Sequence, residues 1–517
     1  MFKSFKATAS VIAASLAIAF APGQASAYSV GTDGHLYNGA GKEIRLNGIN
    51  WFGFETPEHV LHGLWASTLQ GNIDLMKQQG FNAVRLPFCP ATLQGSATQS
   101  IDYSKNSDLQ GLTSLQILDK VVQKFSDQGF YILLDHHRPD CQAISELWYT
   151  GSYTEAQWIT DLKFVATRYK GVAGFMGVDL KNEPHGQSTW GVGNSQTDWN
   201  SAAERAAAAV LTANPDLLIF VEGIASASKC SDTRATWWGG NLSPMKCAAL
   251  NIPANRLVLS PHIYGPDVYA QDYFNASTFP NNMPDVWTAQ WAFAKDQGYA
   301  IVPGEFGGKY AAGSADKTWQ DAFVTYLIQK NITNFFYWDW NPNSGDTGGI
   351  LMDDWKTIRT DKVALLKRLM DVNTAALGGS SSGGSTGGST GGSTGGSTGG
   401  STGGGTGSTT DACAITYDAS SDWGSGEVIQ VALSNTGTTP ITNWSLSWTV
   451  ANDITIGNSW NSVISKTGRQ LTATPNGNAT ISANGNVSFG LQIAYSGAKP
   501  VPSAIQLADK TCTVTVK

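Results

Sequence analysis

The stretch "FMGVDLKNE", residues 175–183, opens apolar, closes on Lys181, Asn182 and Glu183, and is stopped by Pro184. A strand with one wet face alternates polar and apolar residues; a run without alternation is the pattern of a strand covered on both faces. Seven other runs share it: "EIRLNGIN" (43–50), "FNAVRLPF" (81–88), "FYILLDHH" (130–137), "LLIFVEG" (217–223), "RLVLSPHIY" (256–264), "AIVPGEFG" (300–307) and "NFFYWDW" (334–340). Amphipathic segments such as "LQILDKVVQKFSDQG" (115–129) lie between them and end near Gly or Asn. Apolar strands alternating with helices predict a parallel sheet. Eight such units in about 350 residues fit a (β/α)8 TIM barrel, an α/β fold, better than an open doubly wound sheet. "YSVGTDGHLYNGAGKEI" (28–44) reads as a hairpin closing the barrel's lower end.

Outside this unit the composition changes. Residues 378–410 are Gly, Ser and Thr almost throughout, too poor in apolar side chains to fold, and predict a flexible linker spanning roughly 30 Å. The linker separates a large unit, 28–377, from a small one, 411–517. At the start, Lys3 and Lys6 precede the short apolar "VIAASLAIAF", and Ala25-Ser26-Ala27 supplies small residues for cleavage before Tyr28. Residues 1–27 therefore read as a signal peptide, and the protein as secreted and extracellular. Six cysteines in an exported chain suggest disulfides: Cys413–Cys512 bracketing the small unit, Cys230–Cys247 as a local bridge, and Cys89–Cys141 as the remaining pair. No zinc-type Cys spacing occurs, and His59 with His62 alone is weak evidence for a metal, so neither metal nor cofactor is expected. A net charge of −7 argues against nucleic-acid or anionic-membrane partners, and a monomer is expected.

The eight runs gather polar and aromatic residues at their C-terminal ends: Asn50 with Trp51, Arg85, His136 with His137, Asn182 with Glu183, Glu222, His262 with Tyr264, Glu305, and Trp338 with Trp340. In a barrel those ends meet on one face, where the loops carry chemistry. Glu183 and Glu305, 122 residues apart (305 − 183), stand out. Two carboxyls in different environments suit glycosidic bond cleavage, one protonated to donate to the leaving oxygen and one ionised to attack the anomeric carbon. The aromatics Trp51, Tyr264, Trp338 and Trp340 suit stacking on sugar rings, and Arg85 suits keeping a nucleophile ionised.

The motifs "NGINWFGFE" (47–55), "VRLPF" (84–88), "LLDHHRPDC" (133–141), "DLKNEP" (179–184), "SPHIYG" (260–265), "PGEFGG" (303–308) and "YWDWNPNSGDTGGIL" (337–351) run in order across the large unit. It resembles the family 5 glycoside hydrolases, and among them the bacterial endoglucanase-type cellulases. The resemblance implies Glu183 as acid/base and Glu305 as nucleophile, with retention of configuration. It implies Asn182 on the sugar 2-hydroxyl, His262 and Tyr264 orienting the carboxyls, Arg85 supporting Glu305, His137 lining the same subsite (with His136 as the alternative), and Trp338 as the sugar platform. Glu222 lacks a motif around it and reads as structural or subsite-lining. The implied function is endo-β-1,4-glucanase activity on cellulose. A mannanase or mixed-linkage β-glucanase uses the same barrel, and a non-catalytic cellulose-binding or scaffold protein is the alternative of another class.

The small unit alternates inward and outward residues in "VIQVALSNTG", "WSLSWTV" and "VSFGLQIAYSG", as a β-sandwich does. It resembles the family 2 carbohydrate-binding modules, with Trp444 and Trp448 in the core and Trp423 and Trp460 matching two of the family's row of cellulose-stacking tryptophans. The third is absent: "ATPNGNAT" (473–480) offers Asn476 or Gly477, which implies weaker binding or an altered platform.

Overall fold

Each of the eight runs contains a strand: Asn47–Asn50 (β1), Ala83–Phe88 (β2), Tyr131–His136 (β3), Phe175–Asp179 (β4), Leu218–Val221 (β5), Leu257–Leu259 (β6), Ala300–Ile301 (β7) and Phe335–Tyr337 (β8). The computed structural model describes residues 27–225, 228–378 and 413–516, except 423–425, 461, 477–478, 484, 509 and 511. The predicted leader (all but Ala27), the linker from residue 379 onward and Trp423 lie outside the described residues, as does the side chain of Trp460. The chain divides into two compact units, 1–386 and 387–517.

Seven parallel pairings order the strands β7-β6-β5-β4-β3-β2-β1-β8. The ring closes between β7 and β8 through Phe336 N–H to Pro303 O and Trp338 N–H to Phe306 O, both 2.9 Å. Regular strand in the seventh run stops at Ile301, because Pro303 has no N–H to give the ladder. The chain nevertheless continues alongside β6, with Val302 N–H on Leu259 O at 2.9 Å and Gly304 N–H on Pro261 O at 3.1 Å.

The outer layer consists of helices Leu69–Gln79 (α1), Ser114–Asp127 (α2), Glu155–Arg168 (α3), Trp199–Ala213 (α4), Met283–Gln290 (α5), Ala315–Gln329 (α6) and Thr360–Ala376 (α7). α2 starts at a Thr113/Gln116 capping box and buries Ile117, Leu118, Val121, Val122 and Phe125. Each such side chain contributes roughly 1.5–3 kcal/mol on burial. Between β5 and β6 the barrel departs from the expected repeat: among the described residues this crossover holds a 3-10 turn, Ser243–Lys246, and no α-helix. Pro244 and Pro253 break helical hydrogen bonding there, and Leu242, Met245, Leu250 and Ile252 cover the core instead.

The N-terminal hairpin is a three-stranded antiparallel sheet, Ser29–Val30, Leu36–Tyr37 and Glu43–Ile44. Tyr28, Val30, Leu36 and Ile44 pack with Leu133, Met176, Phe220 and Phe336 inside the barrel and close its lower end, leaving the opposite end for the site.

The second unit is a β-sandwich. Ile454–Trp460, Asn486–Tyr495, Gly426–Asn435, Cys413–Asp422 and Thr513–Val516 form one sheet; Ser462–Thr467, Gln470–Pro475, Leu446–Val450 and Pro502–Leu507 form the other. Trp444 and Trp448 are buried, and Trp444 stacks on Phe489 at 5.7 Å. Disulfides join Cys413–Cys512 here and Cys89–Cys141 and Cys230–Cys247 in the barrel unit. No helix among the described residues is long and apolar enough to cross a membrane.

Candidate active site

Strand register builds the centre of the site. Asn50 pairs with Arg85 across β1–β2, and Asp135 with Asp179 across β3–β4. The fully buried Arg85 donates through Nη1 to Glu305 Oε1 at 2.7 Å and Asn50 Oδ1 at 3.1 Å. Its Nε reaches Asp179 Oδ2 at 3.1 Å; its Nη2 reaches Asn182 Oδ1 at 3.1 Å and Glu222 Oε1 at 3.3 Å, and lies 3.2 Å from Asp135 Oδ2. Burial opposes the charge, but Asp135, Asp179, Glu305 and Glu222 outweigh it and hold the guanidinium well above its ordinary pKa. One side chain thus ties together residues from five runs.

Glu305 is gripped at both oxygens, because Tyr264 donates its hydroxyl to Oε2 at 2.5 Å. Burial and the Glu305 charge push Tyr264 far up, so it remains a donor. Gly304 makes the approach possible: a Cβ there would overlap Ser260 Oγ and stand 3.0 Å from His262 Nε2. His262 connects the two carboxyls, with Nδ1 at 3.2 Å from Glu183 Oε1 and 3.5 Å from Glu305 Oε2. Its Nε2 lies 3.0 Å from Glu222 Oε1. The three groups Glu183, His262 and Glu305 offer polar atoms all within 4.8 Å of one another.

These contacts set the charge states. Burial works against a charged His262, but the carboxylates of Glu222 and Glu305 prevail and raise it well above its ordinary value. Burial alone would raise Glu183; the hydrogen bond and charge of His262 outweigh it and lower the carboxyl. Burial raises Glu222, and burial with the nearby Glu222 raises Asp179.

Glu183 leaves β4 through Leu180–Asn182 and takes φ +54°, a left-handed conformation uncommon outside glycine. Its N–H donates to Glu222 Oε2 at 2.8 Å. Asn182 Nδ2 is buried without a partner among the described residues, a donor left over for a ligand. His137 donates Nδ1–H to Asp135 Oδ2 at 2.5 Å, which leaves Nε2 for the cleft. His136 turns away, 2.9 Å from the Tyr153 hydroxyl, so the second histidine of the pair is the one at the site. The cleft above these groups is about 710 Å³. Trp338 forms part of its wall, with Phe52 and His137 stacked parallel to it at 5.6 and 5.8 Å.

Residues 37–344, more than half of the chain, match the family described as cellulase, glycosyl hydrolase family 5. The chain belongs to glycosyl hydrolase family 5. Residues 413–512 match a second family, the cellulose binding domain. This family 5 hydrolase is 54% identical to the major extracellular endoglucanase of Xanthomonas campestris pv. campestris over 489 residues, 93% of this chain and 98% of the relative. An endoglucanase of Paenibacillus polymyxa is 44% identical over 378 residues, 71% of this chain and 94% of the relative. Among solved structures, the catalytic domain of the X. campestris endoglucanase superposes with TM-score 0.65 at 60% identity, covering 66% of this chain and 99% of that one. A hyperthermophilic endocellulase of Pyrococcus horikoshii gives TM-score 0.65 at 47% identity, covering 67% and 99%.

Two of the aromatics expected to bind sugar do not face the cleft of this family 5 hydrolase. Trp51 is fully buried, donating to His62 O at 3.0 Å and packing edge-on to Phe125 of α2. Asn50 beside it points into the barrel, so Trp51 points out to the helix layer. Trp340 is likewise fully buried, with Nε1 on Asn72 Oδ1 of α1 at 2.9 Å. The cleft instead gains Phe52, Trp237, Trp238 and Tyr269. Trp238 is 47% exposed and lies flat on His185 at 3.7 Å. The adjacent pair in "TWWGGN" (236–241), two tryptophans in a polar loop, was the available signal. Glu222 resolves as structural: it lies beneath the cleft and joins Arg85, His262 and the Glu183 backbone.

Proposed function

We infer that this protein is a secreted endo-β-1,4-glucanase that hydrolyses internal bonds of cellulose with retention of configuration. The observation that carries the reading is the pair of carboxylates approaching within 4.8 Å, one held by Arg85 and Tyr264, the other by His262. Retaining glycosidases place their carboxyls about 5–5.5 Å apart, whereas inverting ones leave about 6.5–9.5 Å for a water.

In this mechanism Glu305 attacks the anomeric carbon while Glu183 protonates the departing glycosidic oxygen, giving a covalent glycosyl–enzyme. Glu183 then takes a proton from water, which attacks the same carbon and releases Glu305. Arg85 and Tyr264 hold the two oxygens of Glu305 and aim the carboxylate. A glucan in the cleft strips water from the Glu183 carboxylate and favours its protonated form, and His262 Nδ1 is 3.2 Å away. Asn182 Nδ2 meets the sugar 2-hydroxyl, His137 lines the same subsite, and Trp338 is the platform under the ring.

The test is a viscosity and reducing-end time course on carboxymethylcellulose, with mannan and mixed-linkage glucan beside it. The expected result is rapid loss of viscosity at few new ends and faster cutting of the β-1,4-glucan. Slow viscosity loss, or preference for mannan, would overturn the assignment.

The chain is read as a leader (1–27), a catalytic unit (28–377), a linker (378–410) and a binding module (411–517), acting as a monomer. Trp423 and Trp460 are assigned to the cellulose surface. A tethered module raises the enzyme's local concentration on an insoluble chain and adds little on a dissolved one. Removing residues 411–517 is expected to cut activity on crystalline cellulose on the order of tenfold and to leave soluble-substrate turnover within about twofold. Parallel losses on both substrates would sink the targeting role.

A further inference from the structure

Lys181 is a charged side chain only 2% exposed, at the end of a barrel strand, and it does not line the cleft. A buried ammonium is costly unless something uses it. Its Nζ donates to the carbonyl of Asn182. That carbonyl belongs to the peptide joining Asn182 to Glu183, and the N–H of the same peptide donates to Glu222 Oε2 at 2.8 Å. One peptide unit is therefore held at its oxygen by a buried cation and at its nitrogen by a buried carboxylate. The residue that follows it is Glu183, whose φ of +54° a free glutamate seldom adopts. Glu222 in turn contacts Arg85 at 3.3 Å and His262 at 3.0 Å, so the clamp is joined to the groups that hold Glu305.

We propose that Lys181, with Glu222 opposite it, is a positioning residue for the acid/base: the two clamp the Asn182–Glu183 peptide and hold the left-handed turn that aims the Glu183 carboxyl at the glycosidic oxygen. The role rests on the reading of Glu183 as acid/base. The surroundings are consistent with a working cation. Burial pulls the ammonium down to about 8, while the charges of Glu222, Glu183, Asp135 and Asp179 act to keep it protonated; His136 and His185 are further titratable neighbours. Charge-assisted hydrogen bonds at both ends restrict the peptide more than neutral ones do.

The test is kcat and KM on aryl β-cellobiosides with leaving groups from dinitrophenol to phenol, for wild type, Lys181→Met and Glu183→Gln. An acid that is badly aimed fails most where the leaving group needs its proton. Lys181→Met is expected to lose about tenfold or more in kcat/KM, which reports the step that needs the acid, on the phenyl substrate and under about threefold on the dinitrophenyl one. Glu183→Gln is expected to show the same bias, larger. If Glu183→Gln loses equally across the series, the acid/base reading itself falls. If Glu183→Gln is biased but Lys181→Met loses evenly, or loses nothing, the clamp alone falls. Should Lys181→Met not fold, Lys181→Gln keeps a donor for the Asn182 carbonyl without the charge; a smaller loss with the same bias supports the clamp, and an even loss overturns it.

Discussion

Glu305→Ala is expected to lower kcat on a soluble β-glucan by about 10⁴-fold or more, with KM little changed and the fold intact. Removing a nucleophile that acts as one unit with its partners typically costs on the order of 10⁴–10⁶ in rate. Glu183 is committed to His262, and Glu222 and Asp179 lie buried beneath the cleft. Of the other carboxyls lining the cleft, Glu55 accepts from Gly53 N–H at 2.8 Å and Asp346 from Thr347 N–H at 2.9 Å. Arg85 and Tyr264, which hold Glu305 at 2.7 and 2.5 Å, would then face a small cavity lined by donors. Azide is an anion that fits such a space. It should restore turnover of an activated aryl β-cellobioside and yield a glycosyl azide of inverted configuration. Unchanged turnover in the variant would remove Glu305 from the mechanism, and an azide product of retained configuration would contradict direct displacement at the anomeric carbon.

Arg85→Met carries the second large effect, on stability and activity together. Arg85 is fully buried and within 3.3 Å of Asp135, Asp179, Glu222 and Glu305. Breaking a buried ion cluster by removing one partner costs roughly 3–5 kcal/mol, because the remaining charges stay buried and unpaired. For a domain of this size that is a fall in Tm on the order of 10 °C. Activity should fall more than the loss of folded protein explains, because Arg85 also holds Glu305 at 2.7 Å and Asn182 at 3.1 Å. A variant with wild-type Tm would mean that the cluster contributes little to stability, and activity that simply tracks the folded fraction would mean that Arg85 does not position Glu305.

The limits of sequence reading show in particular side chains. Run lengths and polar strand ends located Arg85, Asn182, Glu183, His262, Tyr264 and Glu305, because a parallel barrel gathers its strand ends on one face whatever the loops do. The aromatics did not follow that logic. Trp51 and Trp338 both stand at strand ends, yet one faces α2 and the other the cleft. Direction at a strand end depends on the residue's parity and on the loop that receives it, and neither is written in composition. The crossover after β5 is a second case. The repeat of strands and helices predicts a helix there, and that two of its residues, Trp237 and Trp238, line the cleft follows from a segment, 222–256, with no local period.

Taken alone, the amino-acid sequence determined the barrel and the sandwich, the two carboxyls and most of their helpers, since periodicity and strand-end chemistry are local patterns repeated many times over. Tertiary structure removed His136 as the alternative to His137, put Trp51 and Trp340 in the core, and showed what the lysine buried at position 181 contacts. Those outcomes depend on register across neighbouring strands, where Asp135 meets Asp179 and the Asn182–Glu183 peptide lies between Lys181 and Glu222. The contact between Glu183 and Glu222, 39 positions apart, and that between Trp340 and Asn72, 268 apart, lie outside any local window of sequence.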